Sequence, residues 1–410
     1  MADRPFHILM VLDHPFPPDT RVENEALSLL EAGFDVTVLA VAPDTRPAED
    51  GHRGIRVVRA RIPAALRNKM RGLVTTLPLF DGYLARLIPR VHRKKPADAL
   101  HLHDLYLFGG GLRAGRRLGI PVVGDLHENW VEALKSYAWS TTFPGKYLVN
   151  IERWARYERA WVNAVDRLVV VIEEAAARNQ ALGVPPDRIV VVPNTIKREA
   201  FDRYEVDEAL VARLRSESSL TITYTGTYDR HRGLDTVIDA LPRVLEQIPD
   251  ARFVIVGKGR ITPELEAHAR QRGVRDHVRF EGWQPQARLK SYILGSDLCV
   301  IPHRRTGHTD ATIPHKLFHY MYLERPVIVS DCPPLRRIVE DAAAGRVFPA
   351  EDAGALARAI LELAADPAAR RVLGAQGRQA VVERYNWDTT VRGLVAMYRD
   401  LARAAAPRKT

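Results

Sequence analysis

Short apolar runs rich in Val, Ile and Leu recur along the chain, and most do not alternate with polar residues. Residues 7–13, 35–41, 55–62, 99–104, 121–128, 168–174 and 189–194 form a first series. Residues 220–227, 251–257, 278–282, 298–302, 326–331 and 345–348 form a second. Runs of this kind predict strands of a parallel sheet with helices on both faces. Between strands, residues 20–33 and 145–164 carry apolar positions at steps of three and four, which predicts helices, the first ended by Gly33. Two successive strand–helix series, joined by a polar stretch from Lys197 to Glu208, predict two doubly wound α/β domains over 1–195 and 196–385. Residues 386–410 read as a closing helix capped by Asn386 and free to cross back onto the first domain. In such folds ligands bind outside the carboxyl ends of the strands, so the chemistry is expected there, in a cleft between the domains.

One stretch departs from this pattern. Leu66, Met70, Leu73, Val74, Leu77, Phe80, Leu84, Leu87, Ile88 and Val91 form a helical stripe, interrupted at Pro78 and Pro89. The chain carries a net charge of +10, and residues 51–100 alone hold twelve Lys/Arg against two Asp. Arg67, Lys69 and Arg71 lie at one end of the stripe, and Arg86, Arg90, Arg93, Lys94 and Lys95 at the other. A basic amphipathic surface over 66–95 suits an anionic membrane face. A core-packing helix pair with a solvated basic side gives the same pattern. No aromatic-rich basic strand accompanies the charge, so nucleic acid is not an expected partner. No apolar run is long enough to span a bilayer, and the N-terminus has an acid and a proline where a signal peptide would not. Cys299 and Cys332 sit in apolar runs, as buried reduced thiols do. The expected location is cytoplasmic, with peripheral attachment to the inner membrane face.

Candidate chemistry lies at the strand ends. Thr225 to Leu234 is a strand running into a loop with Gly226 and Gly233, where Gly226 allows close approach of a ligand and Arg232 is placed for a diphosphate. A surface turn reads the same way. In the run Thr309 to Met321, Thr312 is a fair N-cap and Pro314, His315, Lys316 and Leu317 make a first helical turn. Its free N–H groups, the helix dipole and Lys316 would form an anion site, suited to a departing nucleoside diphosphate. No Asp-x-Asp pair stands at a strand end, so no metal cofactor is expected.

These segments resemble glycosyltransferase family 4, in the members that read Pro-Asn-Lys-Leu-Phe-Glu-Tyr-Met where this chain has Pro314 to Met321. The resemblance spans nearly the whole chain and includes TGTYDRHRGLDTVIDA, VIVGKG, VRFEGW, PVIVSDCPPLRRIV and the closing Tyr-Asn-Trp. It implies a GT-B fold, a nucleotide-sugar donor (UDP-, GDP- or similar) held mainly by the second domain, a lipid-linked, polysaccharide or other glycan acceptor, and transfer with retention at the anomeric carbon. The family's Glu-x7-Glu pair falls on Ala311, next to Asp310, and on His319, which could replace the second acid at the donor ribose. The family's cationic pair falls on Thr227 and Arg232, with Arg230 as a stand-in.

In the first domain, Asp125, His127 and Glu128 close one strand, and His103 and Asp104 close another. The resemblance places His127 beside the reacting sugar. His103, Asp104, Asp125, Glu128 and Arg21 read as acceptor-side residues; a satisfied buried histidine is the competing reading for His103 and His127. The Pro-rich loop from Asp13 to Arg21 stands where the family often has a Gly-rich loop and reads equally as an acceptor wall or a structural turn. Trp283 stands where the family places the nucleobase, though a core tryptophan explains it as well. With His127, Arg232 and Lys316 as catalytic residues, the leading reading is a retaining glycosyltransferase. The readings set beside it are a binding or scaffold subunit that has lost its acids, and an epimerase of the nucleotide sugar, for which the paired acids and bases are not evident.

Overall fold

Every predicted apolar run forms a strand. The computed structural model describes residues 4–135 and 149–405, and contacts divide the chain into residues 1–193 with 391–410, and residues 194–390. The crossing into the second unit comes at Asn194, ahead of the expected polar stretch, and the helices Arg198–Asp202 and Glu208–Ser216 belong to that unit. Part of the helix expected over 145–164 lies outside the described residues; the described helix is Ile151–Val162.

The first unit is built on β1 (His7–Leu12), β2 (Asp35–Ala42), β3 (Glu49–His52), β4 (Ile55–Arg61), β5 (Ala99–His103), β6 (Val122–Leu126), β7 (Arg167–Val170) and β8 (Ile189–Val191), in the order β3-β4-β2-β1-β5-β6-β7-β8. All neighbours are parallel except β3 and β4. The six residues of β1 and the five of β5 and of β6 are buried, which explains why their sequence does not alternate. β3 reads Glu-Asp-Gly-His, is largely exposed, and returns through Arg53 and Gly54, both at positive φ. Its polarity hid it from a search for apolar runs.

The helical stripe divides. Helix Leu79–Lys94 turns Phe80, Leu84, Ile88 and Val91 into the core, and Pro89 lies within it rather than ending it. Helix Ala64–Gly72 buries none of its residues. Leu66, Leu77 and Leu79 are at least half exposed. Much of the basic charge is already engaged: Arg67 donates to the Asp13 carbonyl, Arg71 pairs with the Asp13 carboxylate, Lys94 with Glu49 and Lys95 with Asp35. Lys69, Arg86, Arg90 and Arg93 stay exposed, as do the three leucines.

The closing helix, Arg392–Ala405, belongs to the first unit, where it buries Leu394, Met397, Tyr398 and Leu401, one face at helical spacing. Asn386 caps the short helix Trp387–Thr390 before it, accepting from Thr389 N.

The second unit has β9 (Thr221–Thr225), β10 (Arg252–Val256), β11 (Val278–Gly282), β12 (Leu298–Ile301), β13 (Val327–Ser330) and β14 (Gly345–Phe348), all parallel in the order β11-β10-β9-β12-β13-β14. The order reverses between β9 and β12, as it does between β1 and β5 in the first unit. Loops leaving such a pair turn to opposite faces and open a crevice at the carboxyl ends. Both cysteines are free and buried.

Candidate active site

At the β9/β12 reversal, two cations meet without a carboxylate between them. Gly226 follows β9 at φ +128, and a Cβ there would lie 2.6 Å from Lys316 Nζ. Glycine leaves the ammonium its place. Lys316 comes from helix Lys316–Tyr322, and its Nζ lies 3.5 Å from the centroid of the Tyr224 ring. Gly233, at φ +64, follows the tight turn Arg230–Arg232, and a Cβ on it would fall 1.9 Å from the Pro302 carbonyl oxygen. That close approach sets the β9 loop against the β12 loop, so Arg232 Nη1 donates to His303 Nε2 at 3.1 Å. Burial, then the Arg232 charge, pushes the Lys316 ammonium well below the ordinary lysine range. Neither cation has an ion pair among the described residues. A bound polyanion would satisfy both.

Several donor-site expectations need correction. Thr312 is not a helix cap: its backbone is extended, at φ −142 and ψ 153, and its hydroxyl donates to the His308 carbonyl. Pro314 disfavours helical backbone at the residue before it, and the helix starts only at Lys316, so Pro314 and His315 precede it. Seven residues of helix make a weak dipole, and the positive charge here is that of side chains. Leu317 is fully buried in the core. Arg230 is exposed and pairs with Glu264 at 2.7 Å, away from Lys316 and Arg232. His319 lies flat on Phe201, ring centroids 4.8 Å apart, and burial, then His315, lowers its imidazole to about 3. Trp283 is exposed, which removes the core reading, and Lys258 Nζ lies 5.9 Å from its ring centroid.

The first unit gathers a second cluster at its own reversal. Asp125, at the end of β6, is fully buried, and its Oδ2 lies 3.4 Å from His101 Nε2, 3.4 Å from His103 Nδ1 and 3.2 Å from His127 Nε2. His127 Nε2 is also 3.0 Å from His103 Nδ1. Arg21 is buried beneath, with Nη2 3.1 Å from Asp125 and 3.0 Å from Glu25, and Nη1 donating to the Val192 carbonyl. Tyr398 of the closing helix lies 2.8 Å from His101 Nδ1. A tyrosine hydroxyl donating there leaves Nε2–H of His101 to face Asp125.

The charges divide in a definite way. Burial opposes the charge on His127, but Asp125 and Asp104 outweigh it and raise its imidazole to about 9. Burial, then His101, lowers His103 to about 3. Burial and the Asp125 charge raise Glu25, while Arg21 and His127 hold Asp125 ionised against its own burial. Glu25, His101, His103 and Asp125 bring four ligand-type atoms within 4.8 Å. The Arg21 guanidinium already lies against both carboxylates, so the cluster carries its own cation.

Arg21, His103 and Asp125, expected on the acceptor side, are buried. His127, Asp104 and Glu128 remain partly open. Asp104 sits at φ 78, rare for a residue with a side chain, and shares the Tyr106 hydroxyl with Asp13. His14, 2.5 Å from Asp19, is raised to about 9 by Asp13 and Asp19 against burial. Sequence reasoning missed Tyr106, Arg71, Glu25, His101 and Tyr398 here, and His231, His303 and His308 in the second unit. The available signal was a polar residue within or just beyond an apolar strand, as His101 in β5 and His303 after β12 show.

Residues 207–380 match the family model "Glycosyl transferases group 1", and residues 18–195 match "Glycosyl transferase 4-like domain". The chain is 29% identical over 408 residues to a phosphatidyl-myo-inositol mannosyltransferase of Mycobacterium leprae, covering 96% of each protein. It is 28% identical over 423 residues to a D-inositol 3-phosphate glycosyltransferase of Acidothermus cellulolyticus, covering 95% of this chain and 86% of that one. Among solved structures, sucrose-phosphate synthase of Thermosynechococcus elongatus superposes with a TM-score of 0.77 at 20% identity, over 98% of this chain and 100% of that one. HepE of Anabaena, in complex with UDP, superposes at 0.70 with 14% identity, over 96% and 100%.

Proposed function

We propose, starting from a chain that is a glycosyltransferase of the GT-B type, that it moves a sugar from a nucleotide-sugar donor onto a lipid-linked or other glycan acceptor, with retention and without a metal. The observation that carries the donor half is the pair Lys316 and Arg232 at the β9/β12 reversal, half-buried and without a carboxylate partner. As the glycosidic bond breaks, the electron pair goes to a phosphate oxygen, and fixed cations already in place stabilise that charge without reorganising. Gly226 leaves the approach to Lys316 open, and Gly233 lets the two loops close on each other so that Arg232 stands beside it. His319, on its Phe201 shelf, stands where the ribose hydroxyls are expected, and Trp283 with Lys258 offers a face for the base.

His127 supports the retaining mode. A histidine raised to about 9 is an imidazolium at neutral pH and cannot abstract the acceptor proton. The proton is then left to the departing phosphate, as retention in this reading requires, and His127 donates hydrogen bonds to a sugar hydroxyl. The acceptor class draws on the lipid named in the mannosyltransferase relative and on Leu66, Leu77 and Leu79, exposed beside Lys69, which suit an anionic bilayer. No helix among the described residues is long and apolar enough to cross a membrane.

The test is nucleotide binding. UDP, GDP and ADP, and their sugars, are screened for a rise in unfolding temperature, which a ligand of the folded state causes by mass action. Lys316→Ala should weaken nucleoside diphosphate binding by about tenfold or more. Equal affinity in the variant would remove the cation pair from the donor site.

A further inference from the structure

Around Lys316 and Arg232 stand three imidazoles whose rings have little structural work. The His231 ring lies 5.5 Å from His308 and 6.5 Å from His303, close to perpendicular to the first. His303 has one ring contact among these groups, accepting from Arg232. His231 Nε2, His308 Nδ1 and Arg232 Nε are buried with no hydrogen-bond partner. Buried polar atoms are normally paired, and three unpaired ones beside two cations mark a place for a ligand rich in acceptors.

The surrounding charge is one-sided. His231 faces Arg232, His308 and Lys316, and His308 faces Arg232. Tyr224, below Lys316, has its hydroxyl committed to the Thr227 carbonyl, and Asp229 is the acid it feels. Acids on the adjoining segments are engaged elsewhere: Asp235 and Glu351 hold Arg304, Asp310 holds Arg305, and Asp331 holds Arg336. Among the described residues Asp229 is thus the acid left facing two cations and three imidazoles.

We infer that His231 and His308 are further ligands of the diphosphate and bind it as imidazolium ions, so that the donor enters this site together with a proton. The inference rests on the diphosphate reading of the Lys316 and Arg232 pair. In the free protein, burial and then Arg232 lower His231 to about 3 and His308 to about 4, so both rings are neutral at pH 7. An esterified diphosphate brings two negative charges among the same cations, and each at about 4–6 Å raises a histidine by about 1–3 units, so that together they lift His231 from about 3 and His308 from about 4 into the range of about 6–8. His303 stays neutral because its Nε2 must accept from Arg232. The sign follows: each ring has a higher pKa in the complex, so affinity is greatest at low pH. It falls as pH rises through the values of the complex.

The experiment uses UDP-glucose and GDP-mannose, whose esterified diphosphates do not titrate near neutrality. Calorimetric titration at pH 6.0 to 8.5, in pairs of buffers with different ionisation heats, counts protons taken up per donor bound. The full-length protein should show net uptake, largest toward the acid end, and affinity falling as pH rises. His231→Asn and His308→Asn, each checked for fold by circular dichroism, should lose about tenfold affinity at pH 6 and show less uptake. Their affinities should approach the parent value at pH 8.5. Zero uptake, or uptake unchanged in both variants, overturns the inference while leaving the donor site standing, provided Lys316→Ala still weakens binding. If neither donor binds, or Lys316→Ala binds as the parent does, the site reading itself fails and takes the inference with it.

Discussion

His127 and Arg232 show how far a single residue's chemistry depends on neighbours distant in sequence. His127 is raised to about 9 from an ordinary 6.5 because Asp125 and Asp104 outweigh its burial. A histidine with a higher pKa in the folded state contributes stability that is complete below its ordinary value and lost as pH rises through about 9. Urea unfolding between pH 6 and 9.5 should therefore show a decline in stability, shared with His14, that is shallower in His127→Gln than in the parent; parallel curves would mean the charge is not held there. For Arg232→Ala the expected outcome is a donor KM raised by about tenfold or more, with the unfolding temperature nearly unchanged, read from steady-state kinetics. Arg232 and Lys316 were legible in sequence because each follows a glycine or proline signal at a strand end or helix start. His231, His303 and His308 were not, since their meeting depends on a loop apposition that no local spacing encodes.

Among the elements, the strands were legible and the caps were not. A buried parallel strand writes an apolar run into the sequence, as β1 and β9 do, whereas β3 is four polar residues held by pairing with β4 alone. Thr312 had the residue type of a cap, but Pro314 moved the helix start past it to Lys316. Two loops carry clear expectations. Gly233→Ala puts a methyl group 1.9 Å from the Pro302 oxygen at a positive φ, and should cost about 1–3 kcal/mol and weaken donor binding. Tyr398→Phe removes the donor to His101 Nδ1 in a buried site, and should cost about 1–3 kcal/mol in chemical denaturation. An unchanged midpoint would mean that the closing helix adds packing alone.

For the molecule as a whole, two repeats of one architecture carry two different charge designs. The second unit leaves Lys316 and Arg232 without an ion pair among the described residues, and the first sets Arg21 and the imidazolium of His127 against Asp125 and Asp104. The fold class was legible because the strand–helix rhythm starts twice. Sequence cannot show that Arg67 and Arg71 turn inward to Asp13, which takes these two cations off the basic surface expected over 66–95 while Arg86, Arg90 and Arg93 stay exposed on it. Leu66, Leu77 and Leu79 stay outside as well, and changing all three to Ser should lower co-sedimentation with anionic vesicles without lowering stability. Retention by the vesicles would discount the bilayer contact. The first unit also borrows its last helix from beyond residue 390. During synthesis its last strand, ending at Val191, emerges just over 200 residues before the tyrosine that braces His101. The amino-terminal half therefore waits, with a buried histidine pair unsupported, until the ribosome has made everything else, and nascent chains stalled before Tyr398 should expose that half to proteases and chaperones.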